Sequence, residues 1–218
     1  ADCNPYLAYA AALASGIDGI EHVTSLGSAI LPPREAERYR QSVVADNTAR
    51  RDGRYRVFSQ LDLGSERARR LVALLARRRV VLSPTLAVFE SRPGDPGADE
   101  AHLSGFRAMV ALTGLAKRAG VTVVVGSHSS VPHAERGWAF QREMELLVEA
   151  GLTPAEAIVA GTLDNAKFFR VADRLGSLEA GKIANGVITD GDILELRTHV
   201  RGLFIAGREV PLESRHTR

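Results

Sequence analysis

The sequence has 218 residues, of which 45% are hydrophobic and 25% are charged, as in ordinary globular proteins. Its 28 lysine and arginine residues nearly balance 26 aspartate and glutamate residues, so the net charge is only +2. This balance argues against a nucleic-acid partner or an anionic membrane surface, and no apolar run approaches the roughly 18–20 residues that span a bilayer. Cys3 is the only cysteine, which excludes an intramolecular disulfide and favours a cytoplasmic location.

The first part of the chain predicts two helix-and-strand units. The alanine-rich residues 6–15 predict a helix, and residues 17–23 predict a strand. The polar, helix-prone stretch over 32–56 that follows is predicted to lie outside the main body of the fold. A strongly amphipathic helix is predicted over 66–79, with its arginines on a solvated face, and a short apolar strand follows over 80–84.

The same alternation continues towards the carboxyl end. Residues 121–125 form a continuous apolar run that suits a strand buried on both faces. Thr153 and Glu156 are spaced as a capping box at a helix start. The remaining predicted helices span 103–119, 139–150 and 163–169.

This order predicts an α/β fold with a parallel sheet. Only three strands are counted, whereas a complete eight-stranded β/α barrel needs about 250 residues. The chain is therefore expected to be a small open sheet or part of a larger barrel. After residue 173 the sequence pattern changes to turns, with short predicted strands over 183–189 and 203–210. The chain is therefore predicted to divide into a main unit over 1–173 and a small β appendage over 174–218.

Two of the predicted strands lead into a histidine, His22 after the first and His128 after the third. The carboxyl ends of parallel strands are where α/β folds place their ligands and chemistry. Neutral imidazole is a common metal ligand and also a general base near pH 7. The pair indicates a metal-dependent or acid–base enzyme, although either histidine alone could equally be a hydrogen-bonded structural residue.

Several motifs in order resemble the carboxyl half of the amidohydrolase superfamily, in its imidazolonepropionase-like or prolidase-like branch. The first is the strand and histidine at residues 14–22 (ASGIDGIEH). The others are residues 80–86 (VVLSPTL), the helix start and turn within 143–157, residues 162–166 (TLDNA), 175–177 (LGS) and 181–184 (GKIA).

The resemblance implies strands six to eight of a (β/α)8 TIM-like barrel, plus the carboxyl-terminal part of a composite β-sandwich domain. It also implies a site for one or two divalent metals, usually zinc. The family takes its ligands from strands one, four, five, six and eight. Only the last two strands fall within this sequence, so the chain is expected to be a fragment cut just after strand five.

On this resemblance, His22 takes the place of the metal-binding histidine after strand six. His128 stands where the family has the aspartate that holds and deprotonates water, so it is predicted to be catalytic base, metal ligand or both. The alternative is a degenerate site. His133, in the loop after strand eight, is a candidate substrate-binding residue, and the alternative for it is an exposed loop histidine.

The implied activity is hydrolysis of a non-peptide or peptide-like C–N bond in a small-molecule substrate by metal-activated water. The alternatives are a non-catalytic, amidohydrolase-like binding module with a decayed metal site, and one half of a split enzyme. With at most two credible ligands, these 218 residues alone are expected neither to hold zinc tightly nor to turn over substrate. The oligomeric state stays open, with a homo-oligomer as one alternative.

Three further residues receive structural interpretations. Trp138 begins a helix and is predicted to anchor its packing. His102, within a helix, is predicted to be a surface residue. Glu21 precedes His22 and points to the opposite side of the strand, so it is not expected to be a ligand.

Overall fold

A computed structural model of the protein describes residues 15–135, 137–195 and 198–213. The predicted helix over 6–15 and Cys3 lie outside these ranges. Short helical turns over Val23–Leu26 and Gly27–Ile30 (α1) follow the first strand. The other helices are α2 (Pro33–Ala45), α3 (Ala49–Ser59), α4 (Glu66–Arg78), α5 (Leu86–Phe89), α6 (Glu100–Arg118), α7 (Ala139–Glu149), α8 (Pro154–Gly161) and α9 (Leu163–Phe168).

The predicted parallel sheet is confirmed, but its strands are shorter than the apolar runs. Strands β1 (Gly19–Glu21) and β2 (Val81–Ser83) pair in parallel. The run over 121–125 joins the other side of β2 through a single parallel bridge between Leu82 and Val123, rather than as a full strand. A three-residue partner offers few backbone groups for a ladder, so only the middle of this run pairs.

The amphipathic helix α4 forms as its sequence predicts. The Ser65 hydroxyl caps it by accepting from the backbone N–H of Ala68. Its apolar stripe is buried, while Arg69 and Arg70 point outward and pair with Glu66. The predicted solvated arginine face is therefore confirmed on these residues.

The capping box predicted at Thr153 and Glu156 is also present, at the start of α8. The Thr153 hydroxyl accepts from the backbone of Glu156, and the Glu156 carboxylate accepts from the backbone of Thr153. These reciprocal bonds satisfy donors that would otherwise be orphaned at the start of α8.

One hydrophobic core joins the parallel strands to the helices around them. Its fully buried members come from both sheet and helices: Val23, Leu26, Leu75, Leu82, Leu86, Met109, Leu112, Leu146 and Leu147. Among the described residues, no helix is long and apolar enough to cross a membrane.

The carboxyl-terminal part forms a separate antiparallel sheet of β3 (Gly186–Thr189), β4 (Val200–Ile205) and β5 (Arg208–Glu209). These strands correct the two predicted runs: the first starts later, and the second is a hairpin of β4 and β5. The turn at Ala206 and Gly207, both with positive φ, breaks that run in two. The boundary at residue 173 remains a prediction.

Candidate functional site

The structure brings His22 and His128 together at one end of the parallel sheet. Their imidazole rings stack with centroids 5.4 Å apart and planes inclined by 30°. His22 follows β1 directly, and His128 stands three residues beyond the run over 121–125. The His22 side chain is half-buried and that of His128 is exposed, so the pair faces accessible space.

His22 is held in an unusual backbone conformation. Its φ of 66° and ψ of 117° fall where side-chain-bearing residues are rare. Its backbone N–H donates to the carbonyl of Ser83 at 2.9 Å, which ties the end of β1 to the end of β2. Such strain persists only when its surroundings enforce it, and it concentrates at functional sites.

Thr85 makes the hydrogen bond that orients the His22 ring. Its Oγ1 lies 2.5 Å from His22 Nδ1 and donates its one proton to the carbonyl of Pro84 at 2.8 Å. With that proton donated to the Pro84 carbonyl, Oγ1 accepts from Nδ1–H, and in the neutral ring Nε2 holds the lone pair. Thr85 is itself in the left-handed conformation, with φ 51° and ψ 46°, which is costly for a β-branched residue.

Glu143 is a functional candidate that sequence reasoning missed. The fully buried carboxylate accepts from the backbone N–H of Leu86 at 2.9 Å and of Ala87 at 2.7 Å. Burial raises the pKa of Glu143 to about 7, even though these bonds favour the charged form. The available signal was a carboxylate in the apolar stripe of α7, between Ala139 and Leu147.

Gly126 lets the loop that carries His128 approach the sheet. A Cβ at this position would overlap Ser83 Oγ and come within 3.0 Å of Thr85 Cγ2. Glycine is thus the residue that this close backbone approach requires. The loop is further fixed at its base, where the Asn165 side chain donates to the carbonyl of Val125 at 3.0 Å.

An aromatic ring and a cation, here called the wall, lie beside His22. The Phe89 ring meets the His22 ring edge-on at 5.5 Å, and the Arg54 guanidinium lies 5.1 Å from the Phe89 centroid. The Tyr55 hydroxyl donates to the Phe89 carbonyl at 3.1 Å. This wall gives His22 an apolar neighbour with a positive charge one ring away.

Glu21, the last residue of β1 and the one before His22, lies at the same sheet edge. Its Oε2 accepts from Ser83 Oγ at 2.9 Å, and its side chain is exposed. The bond reaches across to β2, so Glu21 braces the two strands beside the histidine pair.

His133 has a different partner. Its Nε2 lies 2.9 Å from Asp95 Oδ2, and its side chain is only 16% exposed, so it is not an exposed loop histidine. The Arg92 backbone N–H and the His133 ring lower the pKa of Asp95. His133 lines a pocket of about 350 Å³ together with Trp138, Arg142 and Glu145.

Two structural predictions need correction here. Trp138 does not anchor packing: its side chain is 47% exposed at the start of α7, on the wall of that pocket. His102 is not a simple surface residue. Its ring is largely buried against Tyr55, and it completes a capping box with Asp99 at the start of α6.

The histidine pair fits zinc in donor chemistry but not in number. Imidazole nitrogen is a preferred zinc ligand, and a catalytic zinc takes about three protein ligands plus an open position. Among the described residues, no group of three or more histidine, cysteine, aspartate or glutamate side chains could hold a metal ion. His22 and His128 would therefore supply part of a ligand set.

Comparison with known families and curated proteins gives two family matches. The amidohydrolase family model matches residues 65–210, about two thirds of the chain. A model for the glutamine synthetase catalytic domain matches residues 1–45, about a fifth of the chain, and its match is too short to show a family. No curated protein matches significantly.

Solved structures align with most of this chain. A Xaa-Pro dipeptidase with methionine bound in its active site aligns at a TM-score of 0.59 and 20% identity, over 91% of this chain and 41% of its own. A candidate prolidase from Bifidobacterium longum aligns at 0.55 and 27%, over 91% and 43%. A prolidase complexed with N-methylphosphonate-L-proline aligns at 0.55 and 16%, over 91% and 41%. The chain thus spans about two fifths of their length.

Proposed function

Because the chain belongs to the amidohydrolase family, we propose that it is part of a metal-dependent hydrolase that cleaves a C–N bond in a small molecule. The single observation that carries the proposal is the stacked pair of His22 and His128 at the carboxyl end of the parallel sheet. This is where α/β enzymes place their chemistry. The likeness to a candidate prolidase at 27% identity favours a peptide-like bond over a ring amide.

Within this proposal, β1, β2 and the run over 121–125 are strands six, seven and eight of a TIM-like barrel, and residues 1–173 form its described share. Residues 174–218 then belong to a small β-sandwich. The support is that the solved relatives align with over 90% of this chain, yet this chain covers only about two fifths of them.

His22 and His128 would hold a divalent metal. Zinc fits their imidazole donors best, and the complete protein would hold one or two ions. When bound, such an ion polarises the substrate carbonyl and makes water a nucleophile near neutral pH. Donors beyond the described pair have to complete the ligand set.

Three histidines and Thr85 would orient the ring, move the proton and bind the substrate. Thr85 fixes the His22 ring so that Nε2, not Nδ1, carries the lone pair. His128 is the exposed partner. If other donors complete the ligand set and its imidazole stays off the metal, it is suited to accept a proton from the attacking water and return it to the leaving nitrogen. His133, backed by Asp95, would bind substrate from the neighbouring pocket.

The second candidate function is a non-catalytic binding module that has lost its metal. The described residues favour it in one respect, since they bring two rather than three possible ligands together. The histidine at position 128, in place of the aspartate that the resemblance implies, is consistent with either function.

The test uses the natural gene product that carries these residues, assayed with added Zn²⁺ against dipeptides ending in proline and against cyclic imides. We expect His22→Asn and His128→Asn each to lower kcat/KM by about 100-fold or more. The matched control is His199→Asn, an exposed histidine beside β4, which should leave hydrolysis unchanged. A gene product that neither hydrolyses these compounds nor retains zinc would support the binding module instead.

A further inference from the structure

We propose that Glu143 is a positioning residue for His22, acting through the backbone turn at Thr85. The inference rests on the proposed function in one respect only, namely that the orientation of the His22 ring matters. The link runs over three contacts: the Glu143 carboxylate to the start of α5, that helix start to Thr85, and the Thr85 hydroxyl to His22 Nδ1.

The first contact fixes the residues just after Thr85. The two carboxylate oxygens of Glu143 take the backbone N–H groups of Leu86 and Ala87, one each. These are the first donors of α5, and no side chain at its N-cap position bonds to them. Glu143 therefore does from a distant helix what an N-cap side chain does locally.

The second contact concerns strain. Thr85 is a β-branched residue in the left-handed region, and such a conformation persists only where neighbouring groups enforce it. Anchoring the two residues that follow it determines the direction in which the chain leaves the turn. The Thr85 side chain is itself buried, so its hydroxyl cannot be realigned by solvent.

The anchor is rigid because of its helix. Glu143 projects from α7, in which Leu146 and Leu147 are fully buried in the core. A carboxylate in such a place is expensive to bury, and an apolar side chain would pack there at lower cost. The two carboxylate oxygens of Glu143 offset that cost by holding two backbone N–H donors in one geometry.

The third contact transmits that geometry to the site. Thr85 Oγ1 is 2.5 Å from His22 Nδ1, and this bond decides which ring nitrogen is protonated. A turn that relaxes would move the hydroxyl and release the ring. The consequence to be measured is therefore the tautomer of His22 rather than stability alone.

The test is imidazole NMR on ¹⁵N-histidine-labelled protein, which reports the tautomer without metal or substrate. We expect Thr85→Val to shift the tautomer equilibrium of His22 away from Nδ1–H by about tenfold, the loss of one hydrogen bond. Glu143→Gln should shift it in the same direction by about threefold, because its amide NH₂ faces a backbone donor. In the Thr85→Val background, Glu143→Gln should add nothing.

The matched control is Glu145→Gln on the same helix, whose carboxylate pairs with Arg142 and should leave the His22 signals in place. Glu143→Asp, which keeps the carboxyl group, should restore part of the wild-type tautomer. The proposal is overturned if Glu143→Gln lowers the melting temperature but leaves the His22 signals unchanged. It is also overturned if neither Glu143 variant folds while Glu145→Gln does, since Glu143 would then be a stability residue.

This readout separates the two proposals. A tautomer shift in a protein without hydrolysis would retain Glu143 as a positioning residue and reject the hydrolase. Hydrolysis with an unchanged tautomer would do the reverse.

Discussion

The two sheets of this protein differ in how far their apolar side chains are buried. In the parallel sheet, Ile20, Leu82 and Val123 are buried in the hydrophobic core that they share with the helices. In the antiparallel sheet, Val187 and Ile188 are about half exposed, although their residue types are similar. The parallel part thus has a core of its own, whereas the apolar surface of the antiparallel part is left open by the described residues.

The same contrast holds for polar groups. The parallel part buries Glu90, Glu143 and Thr85, each with a specific partner. The ion pairs of the antiparallel part, such as Arg201 with Asp190, are largely exposed. Buried polar contacts impose geometry because their loss leaves an unsatisfied group, so the candidate site belongs to the part that can enforce it.

The largest expected effect tests the difference in core burial. Leu147→Ala removes a fully buried side chain from α7 and should lower the free energy of unfolding by about 4 kcal/mol. Leu178→Ala makes the same change at a side chain that is 87% exposed and should have little effect. Urea denaturation of both variants measures the contrast, and equal losses would show that Leu178 is covered in solution.

The next effect concerns the pH dependence of Glu143. Its pKa in the folded protein is about 7, above the ordinary 4.5, so its contribution to stability is present below pH 4.5 and is lost as pH rises to 7. Between pH 4.5 and 8, wild type should lose about 3 kcal/mol relative to Glu143→Gln, which has no titrating group there. Parallel stability curves for the two proteins would contradict the burial of this carboxylate.

A third comparison sets a buried ion pair against an exposed one. Arg142 binds both oxygens of the buried Glu90 carboxylate, at 2.7 and 2.8 Å. Glu90→Gln should cost about 2 kcal/mol, because Arg142 keeps Glu145 as a partner, and the loss should persist in 1 M salt. Arg201→Gln, which breaks an exposed pair, should leave the melting temperature nearly unchanged. A loss at Glu90 that salt abolishes would show that the pair is solvated.

The smallest expected effect concerns Gly126. Gly126→Ala forces a Cβ against Ser83 and should cost about 1–2 kcal/mol, with Ser83→Ala in the same chain recovering part of it. Gly186→Ala in β3 has room for the added methyl group and should be neutral. If thermal melts show the two alanine variants to be equally stable, the close approach of the His128 loop to the sheet is absent in solution.

Much of the fold was predictable because it depends on local patterns. The amphipathic helix α4 and the capping box at Thr153 and Glu156 follow from residues within a few positions of each other. The lengths of the strands could not be predicted from local patterns, because a strand ends where its hydrogen-bonded neighbour ends. The run over 121–125 holds four buried valines and one exposed threonine, yet it pairs at one residue because β2 is short.

The candidate site was predictable only in part, for the same reason. The positions of His22 and His128 after apolar runs predicted that they would share one sheet edge. The role of Glu143 depends on backbone donors in a segment more than fifty residues away, which no local pattern reveals. His102 and Trp138 were misjudged because exposure depends on what packs opposite, here Tyr55 for the first and an open pocket for the second.

The left-handed backbone at Thr85 has a consequence for directed evolution. Glycine there would remove the steric cost of the turn and would also remove the hydroxyl that orients His22. A selection for heat resistance alone does not test the contact between Thr85 and His22, so it would not by itself retain this threonine. A library built to stabilise this protein should therefore hold position 85 constant, so that the hydroxyl beside His22 is kept.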